Sequence, residues 1–114
     1  MDSCIFCKIV NGDIPANKVF EDDNVLAFLD VNPAAPNHVL IIPKTHVSNV
    51  LSLNDLGADC VSSIFNAIKI ISNDLGILES GFRVVCNTGI DGGQTVSHLH
   101  FHLLGGRTFA WPPG

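Results

Sequence analysis

The sequence predicts an α+β domain, with three strand-like segments before one long helix and two after it. Three observations lead there. Two short β-rich runs flank a turn at 21–24, apolar residues recur at helical spacing between 52 and 75, and residues 98–104 alternate strictly. With 114 residues and no repeat, low-complexity tract or linker, residues 1–114 are expected to form a single domain.

The elements follow in chain order. Cys4 to Val10 is a short apolar stretch of one or two helical turns, closed by Asn11-Gly12-Asp13 and Pro15. Lys18 to Glu21 reads as a strand, Glu21 to Asn24 as a tight turn, and Val25 to Leu29 as the hairpin partner. Pro33 and Pro36 make 32–37 a rigid loop, since each fixes φ and removes a donor. His38 to Ile42 is a third, mostly buried strand ended by Pro43. Ser52 to Leu75 is expected as one long helix, with Ser52 and Asp55 forming a variant capping box. Its core face is expected at positions 61, 64, 65, 68, 71 and 75, and Gly76 is the residue that stops it. Phe82 to Val85 is strand-like, Gly89 to Thr95 is a glycine-rich loop, and His98 to Leu104 is the last strand.

Composition narrows the function. Six Lys+Arg against eleven Asp+Glu leave a net charge of -5, which argues against a nucleic-acid groove. An anion bound here must be held by local neutral donors. No stretch approaches the roughly 20 apolar residues of a membrane span, and the start Met1-Asp2-Ser3-Cys4 has no leader-like character. A cytoplasmic protein is therefore expected, its four cysteines acting as thiols or metal ligands and not as disulfides.

The chemistry concentrates in His98-Leu99-His100-Phe101-His102-Leu103-Leu104. In a strand, His98, His100 and His102 share one face about 7 Å apart, expected to be accessible, while Leu99, Phe101 and Leu103 enter the core. Imidazole can serve as base, nucleophile or metal ligand near neutral pH. One histidine in a strand is most often structural; three in register beside a glycine loop argue for a site. In Asn87-Thr88-Gly89-Ile90-Asp91-Gly92-Gly93-Gln94-Thr95, backbone N–H groups with Gln94 and Thr95 could hold a phosphate ester. Cys4-Ile5-Phe6-Cys7 is a C-x₂-C that fits a redox pair, half a zinc site or two plain thiols. Cys60 and Cys86 read as buried thiols, and His38 as a strand residue.

The pattern His-φ-His-φ-His-φ-φ at 98–104 resembles the signature of the histidine-triad (HIT) nucleotide-binding family. The resemblance runs through 4–9, 21–23, 26–30, 42–46 and 91–95. The ending Gly105-Gly106-Arg107 with Trp111-Pro112-Pro113-Gly114 is similar to the Hint branch. It implies a HIT-like fold of five antiparallel strands, dimerising into a ten-stranded sheet. It further implies hydrolysis of purine nucleoside phosphoramidates to nucleoside monophosphate and amine through a nucleotidyl-histidine intermediate, with no organic cofactor.

By resemblance, His100 is the nucleophile, His102 contacts the α-phosphate, and Thr95, where relatives often have Ser, relays a proton. Asp30 would hold the ribose hydroxyls, and Phe6, Ile9, Phe28 and Val31 would wall the base, although Ile9 and Val31 could equally be core packing. Asn87, Gly93 and Gln94 would meet the phosphate or leaving group, and Trp111 would reach the partner's site. Many relatives carry structural zinc at places matching Cys4, Cys7, His46 and His98. Three other readings stay open: a nucleotide-binding scaffold with vestigial catalysis, a zinc hydrolase using the three histidines, and a dinucleoside polyphosphate hydrolase.

Overall fold

Turn chemistry sets the first hairpin where the sequence predicts it. In the computed structural model, which describes residues 3–114, β1 (Lys18–Glu21) and β2 (Val25–Leu29) pair antiparallel. The Asp22 carboxylate accepts from the backbone N–H of Asn24 and of Val25, both at 2.8 Å, so one side chain closes the turn. The expectation drawn from Met1 and Asp2 lies outside the described residues.

β3 (Asn37–Pro43), β4 (Phe82–Val85) and β5 (Phe101–Gly105) complete a five-stranded antiparallel sheet of order β1-β2-β3-β5-β4. Two helices cover it, one on each face. α1 (Ile5–Val10) places Phe6 and Ile9 against Leu26, Phe28, Leu40 and Ile42. α2 (Ala58–Asp74) places Ile64, Ala67, Ile68 and Ile71 against Val25, Ala27, Val39, Ile41, Leu99, Phe101 and Leu103. Strand alternation thus divides the apolar residues between two cores.

The structure corrects the sequence reading at three places. First, the long helix is two helices. Residues Val50–Leu56 wind as a 3₁₀ helix, and Gly57, at φ +83°, separates it from α2. The cap is Asn49, whose side chain accepts from the Leu51 N–H at 2.9 Å, and not Ser52 with Asp55. Val50, Leu53 and Leu56 pack on the core at the period of three that a 3₁₀ helix requires. Second, the buried stripe of α2 runs through Cys60, Ile64, Ala67, Ile68 and Ile71, leaving Phe65 53% exposed. Its C-terminus ends as expected at Gly76, φ +72°, where Gly76 N–H donates to Asn73 O and Ile77 N–H to Ser72 O.

Third, β5 begins at Phe101 and not at His98. Extending the β3–β5 register would set Pro43 opposite Leu99, and proline has no N–H for the ladder. The Leu99 N–H turns instead to the Val47 carbonyl, at 2.8 Å.

Candidate functional site

The histidines share the α1 side of the sheet, yet two of them are not on an accessible face. His98 is 0% and His100 4% exposed. α1 lies over them, with the Phe6 ring edge-on to His98 at 5.8 Å and to His100 at 5.2 Å. Each ring is held by a partner that decides where its proton sits. His100 Nδ1–H donates to the His98 carbonyl at 2.7 Å, which leaves the Nε2 lone pair free. His98 Nε2–H donates to the Pro43 carbonyl at 2.9 Å, which frees its Nδ1.

His102 has a partner that sequence reasoning missed. His38 Nδ1 accepts from the Ala34 N–H at 3.0 Å, so its proton is on Nε2, which donates to His102 Nδ1 at 2.8 Å. His102 is left with Nε2–H as its remaining donor. Asp30 Oδ2 stands 3.5 Å from the same His38 nitrogen. Burial, with His100 and His38 beside it, pushes the His102 pKa down to about 4, and burial also lowers His38 against the pull of Asp30. Both rings are neutral at pH 7. The signal for His38 was the period-2 pattern: it shares its face of β3 with Leu40 and Ile42, and Leu40 pairs with His102.

Beside this row lies a cavity of about 430 Å³ lined by Phe6, Ile9, Phe28, Asp30 and Val31, the residues expected to receive a nucleoside. Phe6 and Phe28 meet edge-to-face at 5.6 Å. Val31 is 88% exposed, so it belongs to the rim and not to the core, whereas Ile9 serves both. Leu40, Ile14 and Asn17 also line it and carry no signal in the sequence that assigns them there. Asp30 Oδ1 accepts from the Asn32 N–H at 2.8 Å, which fixes the carboxylate at the cavity wall.

The glycine loop is closed on itself. Asn87 Nδ2 donates to Gly92 O at 2.7 Å, and Gln94 Oε1 accepts from the Gly89 N–H at 3.1 Å. Gln94 Nε2 donates to Ser48 O and Val96 O, so its amide shapes the loop with every group engaged. Gly89 and Gly93 adopt φ +73° and +76°, and a Cβ at Gly92 would overlap the Thr88 carbonyl. Thr95 lines a second cavity of about 490 Å³ with Cys4, His46 and Ser48. Trp111, 82% exposed, is not in the lining of either cavity; its segment is tied back by Arg83, which donates to Ala110 O at 2.9 Å.

Cys4, Cys7, His46 and His98 converge from three segments, their ligand atoms all within 4.8 Å of one another. His98 Nδ1 is 3.4 Å from Cys4 Sγ, 3.6 Å from Cys7 Sγ and 3.1 Å from His46 Nδ1; Cys7 Sγ is 3.3 Å from His46 Nδ1. Tetrahedral zinc with ordinary bond lengths gives edges of about 3.3–3.8 Å. The donor set therefore fits a four-coordinate, closed site, and the Pro43 bond already gives His98 the tautomer that ligation needs. Cys60 and Cys86 lie outside this cluster, and burial raises both thiols.

Comparison with known proteins bears on the family and the fold. The HIT domain family matches residues 11–109. A 14 kDa zinc-binding protein of Zea mays is 44% identical over 96% of this chain and 87% of its own length. An adenylylsulfatase of Arabidopsis thaliana, HINT1, is 42% identical over 96% of this chain and 76% of its own. The crystal structure of a HIT family hydrolase from Legionella pneumophila superposes with a TM-score of 0.94, at 48% identity over 98% of this chain and all of that one.

Proposed function

The chain belongs to the HIT domain family, and from that premise we propose that it hydrolyses the phosphorus–nitrogen bond of purine nucleoside phosphoramidates. The observation that carries this reading is the His100 tautomer: a buried Nδ1–H on the His98 carbonyl leaves the Nε2 lone pair free, and the Phe6 ring that packs edge-on to His100 also walls an apolar cavity bordered by Asp30.

In this reading the base enters the cavity between Phe6 and Phe28, and Asp30 accepts from the ribose hydroxyls. His100 Nε2 attacks the α-phosphorus and the phosphorus–nitrogen bond breaks, giving a nucleotidyl-histidine and the amine. The His102 Nε2–H stabilises charge on the phosphoryl oxygens. The departing nitrogen takes a proton relayed through Thr95. Water then attacks the same phosphorus, releasing nucleoside monophosphate and restoring His100. The loop 87–95 borders the leaving group, its shape held by Asn87, Gly93 and Gln94.

Zinc on Cys4, Cys7, His46 and His98 would be structural, supplying a cross-link between α1 and the active strand; the donor set and the name of the maize relative support it. The working form is a homodimer that joins two sheets into ten strands. β4 supports this, as an edge strand with Phe82 and Val84 exposed, and Trp111 would then reach the partner's cavity. No described helix is long and apolar enough to cross a membrane, and four free cysteines suit the reducing cytoplasm.

The name of the Arabidopsis relative favours a second substrate. Attack by the same nitrogen on the same phosphorus of an adenylyl sulfate would release sulfate in place of an amine. Incubation with adenosine 5′-phosphoramidate and with adenylyl sulfate, followed by acid-free trapping, tests both. An adenylyl adduct on His100 is expected, and His100→Ala should lower turnover at least about 10³-fold. Unchanged turnover in that variant would defeat the reading.

A further inference from the structure

Both arginines of this acidic chain lie at one place, and neither lines the nucleoside cavity. A third cavity, of about 630 Å³, opens where β4 begins and β5 ends. It shares no lining residue with the nucleoside cavity or with the one at Thr95. Arg83 and Arg107 stand in its wall with Phe109, Ser80 and Thr108. We propose that this cavity is a second anion site, which takes the phosphate group of a small phosphate monoester between Arg83 and Arg107. It stands apart from the reading of His100 as nucleophile.

The backbone makes the room. Phe82 pairs with Gly105 at the end of the ladder, and the neighbouring glycines, Gly81 and Gly106, both turn at φ +93°. A Cβ at Gly105 would stand 2.6 Å from Ile77 Cδ1, so the connection from α2 reaches β5 only where a side chain is missing.

Phe109 gathers the charge. Its ring centroid is 4.2 Å from Arg107 Cζ and 5.2 Å from Arg83 Cζ, cation–π distances for both. The shared ring holds two positive charges within about 10 Å, the screening length at 0.1 M salt, so each raises the energy of the other. A carboxylate would relieve this, and the chain has eleven Asp+Glu. None lines the cavity, and among the described residues neither arginine forms an ion pair, whereas Lys18 and Lys44 both meet Glu21.

The guanidiniums are held in place by carbonyls. Arg83 donates to Ala110 O at 2.9 Å, and Arg107 donates to Thr108 O at 3.2 Å and to Ala34 O at 3.1 Å. Those bonds orient the two groups without neutralising them, and leave most of the five N–H groups on each to spare. A phosphate monoester carries close to two negative charges at pH 7 and three acceptor oxygens, which matches two guanidiniums in charge and in donor geometry. The volume lies in the range of small-molecule sites and exceeds what a bare phosphate fills. Ile77 and Phe82 give the rest of such a ligand an apolar wall.

The test titrates ribose 5-phosphate and inorganic phosphate into the full chain, and follows arginine Nε–H and histidine ring signals by ¹H–¹⁵N correlation. Ribose 5-phosphate should move the Arg83 and Arg107 signals saturably, and bind about tenfold more tightly than inorganic phosphate. Arg83→Gln and Arg107→Gln should each weaken that binding roughly tenfold or more. Thr108→Glu keeps both arginines and sets a carboxylate beside them, so it should abolish the binding. Silence at both arginines overturns the proposal, whether the cavity takes no anion or a partner copy covers it. Shifts confined to His100 and His102 overturn it as well, since they place the phosphate at the nucleoside cavity. So does undiminished affinity in Thr108→Glu, and equal affinity for inorganic phosphate overturns the ester as the ligand.

Discussion

Four imidazoles on one side of the sheet hold their protons differently because each has a different fixed partner: two carbonyls, one amide N–H and one another. The sequence shows that 98, 100 and 102 share a face, and says nothing of the proton on any of them. His38 and His102 are 64 residues apart in the chain, and only pairing of β3 with β5 makes them a hydrogen-bonded couple at 2.8 Å. Replacing His38 by Ala leaves His102 Nδ1 a buried acceptor without a donor, at about 1–3 kcal/mol. Expressed in the transition state, that is a roughly tenfold to hundredfold fall in kcat, measurable on adenosine 5′-phosphoramidate. The same ring makes stability depend on pH. Its folded pKa of about 4 lies below the ordinary histidine value of 6.5, so the unfolded chain takes up the proton first as pH falls. The stability His102 contributes is complete above pH 6.5 and is lost progressively down to about pH 4. The loss is at most about 3 kcal/mol. Denaturant melts at pH 7 and pH 4.5 should show it, and His102→Asn should flatten the difference.

Among the elements, the strands are more legible in the sequence than the helices. β-rich runs and an Asp-centred turn place 18–21, 25–29 and 82–85 at the residues where they form, because both signals are local to a few residues. The start of the long helix is hidden because 50–56 and 58–74 are both helical and apolar, and the break between them depends on one φ angle. Gly57 at φ +83° has open space where a methyl group would sit, so Gly57→Ala strains the backbone without a clash. A loss of about 1–2 kcal/mol is expected by thermal or denaturant unfolding, opposite in sign to the gain of Gly→Ala at an ordinary helical site. α1 has another kind of dependence. Six residues contribute little helix of their own, and the element is held by Phe6 and Ile9 in the core and by the sulfurs at Cys4 and Cys7.

For the molecule as a whole, the sheet leaves β4 at one margin with Phe82 37% and Val84 38% exposed. A paired margin covers such an edge, and an unpaired apolar one invites association. If the proposed dimer forms through this edge, Val84→Arg should shift the protein from dimer to monomer in sedimentation velocity, with the cavity residues untouched. If Trp111 serves the partner's site, the same variant should change the relative rates on phosphoramidates with large and small amines. The net charge of -5 fits this picture, since the donor the site offers an anion, the His102 Nε2–H, belongs to a neutral ring and brings no excess of positive charge. The sequence by itself determined the α+β class and the face shared by the three histidines, because periodicity follows from backbone geometry a few residues at a time. The grouping of residues 6, 9, 28 and 30 at one cavity, and of Cys4, Cys7, His46 and His98 at another place, was an expectation only through the resemblance to a family. Only the tertiary structure decided that α1 buries the triad, that His38 orients His102, and that His98 links the cluster to His100. Those contacts join segments up to 94 residues apart, and they depend on strand register and on where Pro43 ends a ladder, which no local pattern encodes.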